Sequence, residues 1–392
     1  MKLQSLFFFL ALATLCCAKQ IEKNINFQEL EEKINFFYLD PTPTAAKGII
    51  NEVNRYDNLE SFLGIFTALS RYYPKEILNW INEAKISFEH HPRLIDALYM
   101  GGLQGEAIQL ALQIQLPAQK ILSFGNQVQS FLTIPVNFLG SVQYMCSHFY
   151  ISGDARYGKR IIDALEVTSN EMANPKELKE LKIQAQAILK ELIFNHEKIY
   201  HLCLEESKSR KGFSRDILNE LLTAQLEEQK KAFPNQNGIL SGMILTTDNT
   251  DFENQWEHLL TMEGPVFNKV SSMPYPNTPQ ENKTIRVLIL FNGYELDTDL
   301  NAHLSYDLEI LDPKGDKVAD FHNLSALKRK IPSRFFSQKA DQPIIFSITS
   351  TEKDEDPCLP GIFTINAVLK DHIAKKDLKL TTTFELLPPD QK

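Results

Sequence analysis

The spacing of apolar residues changes once along this chain, near Pro234, and this change constrains the fold more than any other feature. Before Pro234, apolar residues recur every three to four positions, as in segment 178–192. After it, they recur at every second position, as in segment 304–310. An α-helix has about 3.6 residues per turn, whereas successive side chains of a strand point to opposite faces. The sequence therefore predicts a helical first part and a β second part.

The first part, residues 19–233, contains short apolar-striped segments separated by short polar ones. This arrangement predicts an all-α domain, a helical array of the solenoid type. Asn174 stands where a helix N-cap is expected, with Pro175 at the first helical position. The helix that begins there is predicted to continue to about Glu206, and Ser214 is predicted to cap the next helix.

The second part, residues 281–392, contains alternating apolar segments joined by turns and no helical pattern. It predicts an antiparallel β-sandwich. Residues 234–280 are interpreted as a junction. Within it we expect a first strand at 239–247, a helical insert around Trp256 and a proline-rich linker at 273–279. The predicted fold class is therefore α + β in two separate domains.

The N-terminus has the pattern of a secretory signal peptide, residues 1–18. Lys2 supplies a positive charge, segment 3–15 is apolar, and Cys16, Cys17 and Ala18 place small residues at a cleavage site. We predict cleavage after Ala18 and a periplasmic or extracellular protein. Two alternatives stay open: a buried N-terminal helix, or a lipoprotein modified at Cys16 or Cys17, although a bulky leucine precedes Cys16.

Charge and hydropathy bear on the partners. The formal net charge is −9 at pH 7, whereas binding to nucleic-acid phosphates needs a basic surface. We therefore predict no nucleic-acid partner. No segment after residue 18 is apolar and long enough to span a bilayer. We expect the partner to be another protein of the cell envelope or outside the cell.

The cysteine count excludes a disulfide-rich framework. Three cysteines follow the signal segment, namely Cys146, Cys203 and Cys358, so at most one intramolecular bridge can form. Cys146 and Cys203 both fall on predicted helices. Either they form a disulfide or they are small buried side chains, and the sequence leaves both alternatives open.

Two resemblances to known proteins accompany these patterns. The segments YDLEILDPKGDKV, PGIFTINAVLKD and LKLTTTFEL resemble bacterial immunoglobulin-like domains of exported proteins, over roughly the last 110 residues. This resemblance implies an immunoglobulin-like sandwich and no particular activity. The Cys–Trp–Cys core of true immunoglobulin domains is absent. The segments GDARYGKRIIDALE and NPKELKELK resemble the N-terminal part of uncharacterised secreted bacterial helical proteins.

Several histidines and cysteines in the helical part invite a metal or catalytic interpretation. His196 and His201 are five residues apart, so on a helix they lie about 140° from each other and do not share a face. His196 and Cys203 could share a face but need two more ligands. Cys146 and His148 are two apart and point in nearly opposite directions, so they do not pair directly.

Other polar segments are weaker candidates. His90 and His91 could bind a metal or respond to pH, or form an exposed loop. The acidic run 352–356 lacks the residue order of a calcium loop and is interpreted as a solvated loop. Asn282 and Asn323 match the N-glycosylation acceptor pattern, which also arises by chance. We therefore predict no catalytic, cofactor-binding or metal-binding residues.

A secreted or periplasmic interaction protein is the function that these features favour, rather than an enzyme. The first alternative is an exported hydrolase with a site between the two domains, where His196, Glu197 and Glu205 would be the first candidates. The second alternative is a glycan-binding module that uses exposed aromatic rings such as that of Tyr294.

Overall fold

The computed structural model describes residues 33–52, 59–117, 132–133, 135–248, 252, 270–276, 282–349 and 360–388. The signal segment with Cys16 and Cys17, the residues around Trp256, the acidic run 352–356 and Cys358 lie outside the described residues. The chain divides into two compact units. The first contains residues 1–192 and 198–219, and the second contains residues 193–197 and 220–392.

Helices make up the described part of the first unit, and three of them extend across its boundaries. Their bounds are α1 Pro43–Asn51, α2 Leu59–Tyr72, α3 Ile77–Glu83, α4 His91–Gly101, α5 Gln104–Gln113, α6 Ser141–Ser152, α7 Ala155–Asp163, α8 Pro175–Asn195, α9 Glu197–Ser209 and α10 Phe213–Ala232. The last residues of α8, the first residue of α9 and the second half of α10 belong to the second unit.

Side-chain caps explain where several helices begin and end. The Asp154 carboxylate accepts from the backbone N–H of Arg156 at 3.0 Å, which satisfies one of the donors that a helix start leaves unpaired. The side-chain oxygen of Asn174 accepts from the N–H of Lys176 at 3.1 Å in the same way. Helix α4 ends at Gly102, whose φ of 92° is a left-handed conformation that favours glycine.

Helix α6 forms the centre of the first unit, with almost every residue buried. It lies close to α2 at Gly64, where an added methyl group would collide with the backbone oxygen of Tyr144. Glycine at this position therefore permits the close approach of the two helices.

The single helix predicted from Pro175 to Glu206 is two helices, because it breaks at His196. The backbone N–H of Glu197 donates to the carbonyl of Pro332 at 2.8 Å. This tertiary hydrogen bond takes the place of a helical one at the start of α9. The predicted cap Ser214 instead lies inside α10, and its hydroxyl donates to the Glu166 carboxylate at 2.7 Å.

Two five-stranded sheets lie in the second unit. Their strands are β1 Asn235–Asn237, β2 Leu240–Thr247, β3 Ser272–Pro274, β4 Asn282–Asn292, β5 Asn301–Leu311, β6 Lys317–Lys330, β7 Gln338–Lys339, β8 Ile344–Thr349, β9 Gly361–Asp371 and β10 Lys376–Leu387. The first sheet has the order β1-β2-β4-β7, with β8 also paired to β4, and all its pairs are antiparallel. The second has the order β3-β10-β9-β5-β6.

The predicted fold class, a separate all-α domain followed by an antiparallel immunoglobulin-like sandwich, is wrong. The second sheet is mixed, because β3 pairs with β10 in parallel. Strand β3 lies in the segment interpreted as a linker, and its three residues are too few to show an alternating pattern. The unit that holds both sheets also includes residues 193–197, where α8 ends and α9 begins, and helical residues 220–232. Hydrogen bonds that link Phe194 and Glu197 to residues 333 and 332 join the first of these segments to the β part, and local periodicity does not report such contacts.

The core of the second unit contains aromatic contacts between the two sheets. The rings of Phe363 and Phe384 stack with centroids 4.9 Å apart, and Phe346 of the other sheet lies 6.0 Å from each of them. Strand β10 alternates between buried and exposed side chains along most of its length. Among the described helices, none combines the length and the apolar character needed to cross a membrane.

Candidate functional site

The histidine and cysteine candidates of α8 and α9 do not form a metal site in the structure. His196 is buried, and that burial lowers its pKa to about 3. Cys203 is buried as well, whereas His201 and Glu205 are exposed. Across the described residues, no group of three or more histidine, cysteine or acidic side chains is arranged to hold a metal ion.

Cys146 and His148 of α6 are both buried, and neither has the properties of a catalytic group. Burial raises the pKa of the Cys146 thiol to about 12, which disfavours the thiolate. Burial also lowers the pKa of His148 to about 3, and its ring stacks on Tyr157 with centroids 3.8 Å apart. Cys146 and Cys203 are free thiols rather than a disulfide. These side chains therefore belong to the core of the first unit.

Among the remaining candidates, His90, Asn323 and Tyr294 are engaged in packing or hydrogen bonds within the protein. His90 is buried and stacks on Phe62 with centroids 5.1 Å apart. Asn323 lies within β6 with a φ of 51°, and its N–H donates to the Asp307 carboxylate at 2.8 Å. The Tyr294 ring is completely buried, so it cannot serve as a stacking platform for a glycan. Asn282 begins β4, and its side chain is outside the described set.

Glu197, one of the residues suggested for a hydrolase, is part of a buried ion cluster in the second unit. The Arg334 guanidinium donates through Nε to Glu197 at 2.7 Å and through both terminal nitrogens to Glu295, at 2.9 and 2.7 Å. Arg334 is 4% exposed and Glu197 2% exposed. Burial acts to lower the pKa of Arg334, but the hydrogen bonds and charges of the two glutamates outweigh it and raise this pKa.

This Arg334 cluster joins residues 194–197 to residues 333 and 334 within the second unit. The hydroxyl of Ser333 donates to the carbonyl of Phe194 at 2.5 Å, and the N–H of Gly293 donates to the carbonyl of Arg334 at 2.8 Å. A guanidinium stays protonated near neutral pH, and the carboxylates of Glu197 and Glu295 already accept hydrogen bonds from it. The groups of this cluster are therefore suited to a structural role rather than to acid–base catalysis.

The first unit contains a second ion cluster, centred on Arg210, which directly follows α9. Its guanidinium donates to Asp163 and Glu206 at 2.5 and 2.6 Å and lies 3.0 Å from a Glu166 oxygen. Lys159 also contacts Glu206. Asp163, Glu166 and Lys159 belong to the segment GDARYGKRIIDALE, so three charged residues of that segment have partners at Glu206 or Arg210. The cluster connects α7 to α9 and is structural as well.

A third polar group, formed by His303, Ser305 and His372, lies at one end of the second sheet. His303 and Ser305 are on β5, and His372 follows β9 in the turn before β10. The backbone N–H of His372 donates to the carbonyl of His303 at 3.0 Å, so the two histidines lie opposite each other on neighbouring strands. Their ring centroids are 4.5 Å apart. The Ser305 hydroxyl lies 2.8 Å from Nε2 of His372.

The pair formed by Ser305 and His372 differs from the nucleophile and general base of a catalytic site. Ser305 is only 5% exposed, which limits access by a substrate, while both histidines are exposed. The neighbouring Asp371 carboxylate accepts from the backbone N–H groups of residues 295, 373 and 374, so it is engaged in shaping the turn. Partial desolvation lowers the pKa of His303, and the neighbouring His372 and Lys328 act in the same direction.

Strand β6 forms one edge of the second sheet. It pairs with β5 on one side and is the last strand in the sheet order of the described residues. Most side chains of segment 317–323 are exposed, and these include the apolar Val318 at 48% and Phe321 at 36%. Lys317 pairs with Glu309 and Asp320 at 3.1 and 2.9 Å. The segment therefore combines exposed apolar side chains with charges that are locally balanced.

Comparisons with known proteins gave matches to solved structures only. No protein-family model and no curated protein sequence matches it. It is similar to the Pseudomonas fluorescens alkylpurine DNA glycosylase AlkC bound to DNA containing an abasic site analog, with 10% identity and a TM-score of 0.21 over 86% of this chain and 99% of that one. It is also similar to a family 123 glycoside hydrolase from Clostridium perfringens, with 11% identity and a TM-score of 0.22 over 39% of this chain and 28% of that one. TM-scores this low carry no argument about fold or activity.

Proposed function

We propose that this chain is an exported interaction protein, and that the outer edge of β6, residues 317–323, receives an extended segment of another protein. The observation that supports this most directly is the position of β6 at the end of the sheet, with Val318 and Phe321 exposed. An edge strand presents backbone donors and acceptors to which a further strand can pair. Addition of a strand to such an edge is a recurrent way of binding peptides.

Contacts of the neighbouring backbone define the length of this docking edge. The carbonyl of Ala326 accepts from the N–H of Asp341 at 2.9 Å, so the edge is occupied from there on. The left-handed Asn323, tied to Asp307, lies at an irregularity in the pairing of β6 with β5, which resumes at Leu324. The segment left for a partner is residues 317–323, which matches a strand of ordinary length.

The side chains of the docking edge indicate what kind of segment it binds. Lys317 pairs with Glu309 at 3.1 Å and with Asp320 at 2.9 Å, so its charge is balanced locally. The edge therefore has no strong preference for a charged partner. Val318 and Phe321 add apolar surface that a strand can cover. We infer that the partner supplies an extended segment of low net charge with β-branched or aromatic residues.

A peptide-binding experiment tests this proposal. Extended peptides selected from a display library against the full chain are expected to protect the backbone amides of residues 317–323 from hydrogen exchange. The double substitution Val318→Lys, Phe321→Asp should weaken their binding roughly tenfold or more, equal to about 1.4 kcal/mol. The matched control is Ile362→Lys, which changes an exposed apolar residue of β9, 58% exposed, away from the edge.

Three outcomes of that experiment would contradict the proposal. Selected peptides could protect other segments, or bind the double variant as well as the natural chain. Alternatively, β6 amides could become protected with rising protein concentration alone, which would show that a second copy of this chain occupies the edge.

Export is the second part of the proposal, and it is based on residues 1–18 of the sequence. We expect the mature protein in the cell envelope or the surrounding medium to begin at Lys19. Mass determination of its N-terminal peptide checks this. An intact N-terminus would contradict export, and a lipid on Cys16 or Cys17 would support the lipoprotein alternative instead.

A further inference from the structure

We propose that His303 and His372 form a binding site for a divalent transition-metal ion, with Cu²⁺ as the preferred ion. This site is independent of the docking edge, because it lies where β5 meets the turn between β9 and β10. The two imidazoles lie opposite each other with centroids 4.5 Å apart, and both side chains are exposed to incoming ions.

The pairing of the strands brings the two rings together. Leu304 lies opposite Asp371 in the register of β5 and β9, so the next pair outward is His303 with His372. The hydrogen bond between their backbones, at 3.0 Å, holds the two Cα atoms in place. Only rotations about the side-chain bonds are then needed for one nitrogen of each ring to reach a common ion at about 2.0–2.1 Å.

Ser305 determines which nitrogen of His372 can bind the ion. Its hydroxyl lies 2.8 Å from Nε2. When Nε2 carries the proton and donates to Ser305, the lone pair is on Nδ1, which becomes the ligating atom. A metal-binding histidine usually has such a hydrogen bond on its other nitrogen, which fixes the ring orientation. Ser305 is therefore a positioning residue.

The ligand set indicates the class of ion. Imidazole nitrogen suits Zn²⁺, Cu²⁺ and Ni²⁺, while Ca²⁺ and Mg²⁺ prefer oxygen ligands. With two protein ligands, water completes the coordination. Cu²⁺ and Ni²⁺ accept nitrogen and oxygen ligands in a tetragonal arrangement, and affinity for a given site peaks at Cu²⁺. We therefore expect affinity to decrease from Cu²⁺ to Ni²⁺ and Zn²⁺.

Titration of the full, untagged chain with Cu²⁺ tests the proposal. Calorimetry measures the affinity, and electron paramagnetic resonance of the bound ion reports its ligands. We expect a spectrum with two nitrogen ligands. His303→Ala and His372→Ala should each lower the affinity roughly tenfold or more and remove one nitrogen from the spectrum. Ser305→Ala should lower it about tenfold while both nitrogens stay.

His322→Ala is the matched control, because His322 is an exposed histidine of β6 on the same sheet. It should bind Cu²⁺ as the natural chain does. Equal affinity of the His303 and His372 variants with the natural chain would overturn the proposal, as would a spectrum without imidazole nitrogen. Thermal unfolding of each variant without metal shows whether a lost site reflects a lost fold. If a variant unfolds, the number of nitrogen ligands in the spectrum of the natural chain still decides whether two imidazoles bind the ion.

Discussion

The two ion clusters of this molecule use the same groups in different surroundings. Arg334 in the second unit lies between Glu197 and Glu295, and its side chain is 5% exposed, with that of Glu197 at 2%. Arg210 in the first unit contacts three carboxylates, and its side chain is 10% exposed, but those of Asp163 and Glu166 are 29% and 49% exposed. Water can therefore replace part of the Arg210 contacts, whereas it does not reach Glu197.

The comparison shows that the number of ion pairs is a poor guide to their effect. Removing one partner of a buried pair leaves a charge without compensation, which costs far more than losing a solvated pair. Arg334 has fewer partner residues than Arg210, yet its loss should be the more damaging. The predictions below test this difference and are ordered by the size of the expected effect.

The largest effect is expected for Arg334→Ala. It removes the guanidinium with which the buried Glu197 carboxylate pairs, so the free energy of unfolding of the second unit should fall by about 3–5 kcal/mol. Urea unfolding followed by hydrogen exchange measures each unit separately. Arg329→Ala is the control, because Arg329 is exposed and makes a hydrogen bond to Gln338 at 3.0 Å.

The double variant Arg334→Met, Glu197→Leu sharpens this prediction. It removes both charges and fills the space with apolar groups, so it should lose much less stability than Arg334→Ala. An equal loss in the two variants would mean that packing, rather than an unpaired charge, accounts for the effect.

Acid should destabilise both units through one buried histidine in each. The pKa of His148 in the first unit and of His196 in the second is lowered to about 3, against about 6.5 when unfolded. Below pH 6.5 the unfolded chain binds a proton that the folded chain excludes. Stability is therefore complete above pH 6.5 and falls by about 1.4 kcal/mol per pH unit for each histidine, down to about pH 3.

His148→Gln tests the acid effect in the first unit. It should lower stability at pH 7, since it removes the stacking on Tyr157, and flatten the decline between pH 7 and pH 5 in that unit only. Denaturant unfolding at the two pH values measures this. His322→Gln, at an exposed position, should leave the decline unchanged. A first unit that declines as steeply with His148→Gln as without it would refute this explanation.

A smaller loss is expected for Arg210→Ala, about 1–2 kcal/mol in the first unit, because solvent can hydrate Asp163 and Glu166 while Lys159 still pairs with Glu206. The same unfolding experiment measures it. Arg156→Ala is the control, since Arg156 is an exposed residue that pairs with Asp154 in its own helix start. The comparison of the two clusters would fail if Arg210→Ala cost as much as Arg334→Ala.

The smallest effect is expected for the alkylation of the two buried thiols. Burial raises the pKa of Cys146 and Cys203 to about 12 in each case, so both should resist alkylation at pH 8 while the protein is folded. In denaturant both should react quickly. Mass spectrometry of alkylated peptides distinguishes these states, and rapid labelling of either thiol in the folded chain would show that its helix opens.

Local sequence patterns predicted the start of α8, the strand at 239–247 and the alternation of 304–310, but not the contacts that divide the chain into units. The Asn174–Pro175 start of α8 follows from side-chain and backbone preferences within a few residues. The break at His196 depends on the carbonyl of Pro332, more than a hundred residues away. No window of sequence contains both groups, so a continuous helix was the expected result.

The polar clusters were missed for a related reason. His303 and His372 are far apart in sequence and lie in segments where polar residues are expected to face solvent. The alternation of 304–310 shows that His303 and Ser305 share one face, and this was the available signal. That His372 lies opposite them follows only from the register of β5 and β9.

The sequence by itself determined the change from helical to β periodicity near Pro234, because hydrophobic spacing is a local property of the chain. The tertiary structure alone decided that segments of α8, α9 and α10 belong with the sheets, and that β3 joins β10 in parallel. It also decided that Glu197 is a buried partner of Arg334 rather than a catalytic acid. The physical reason is that hydrogen bonds and ion pairs join groups that are distant in sequence, whereas apolar periodicity reports only which face of an element is buried.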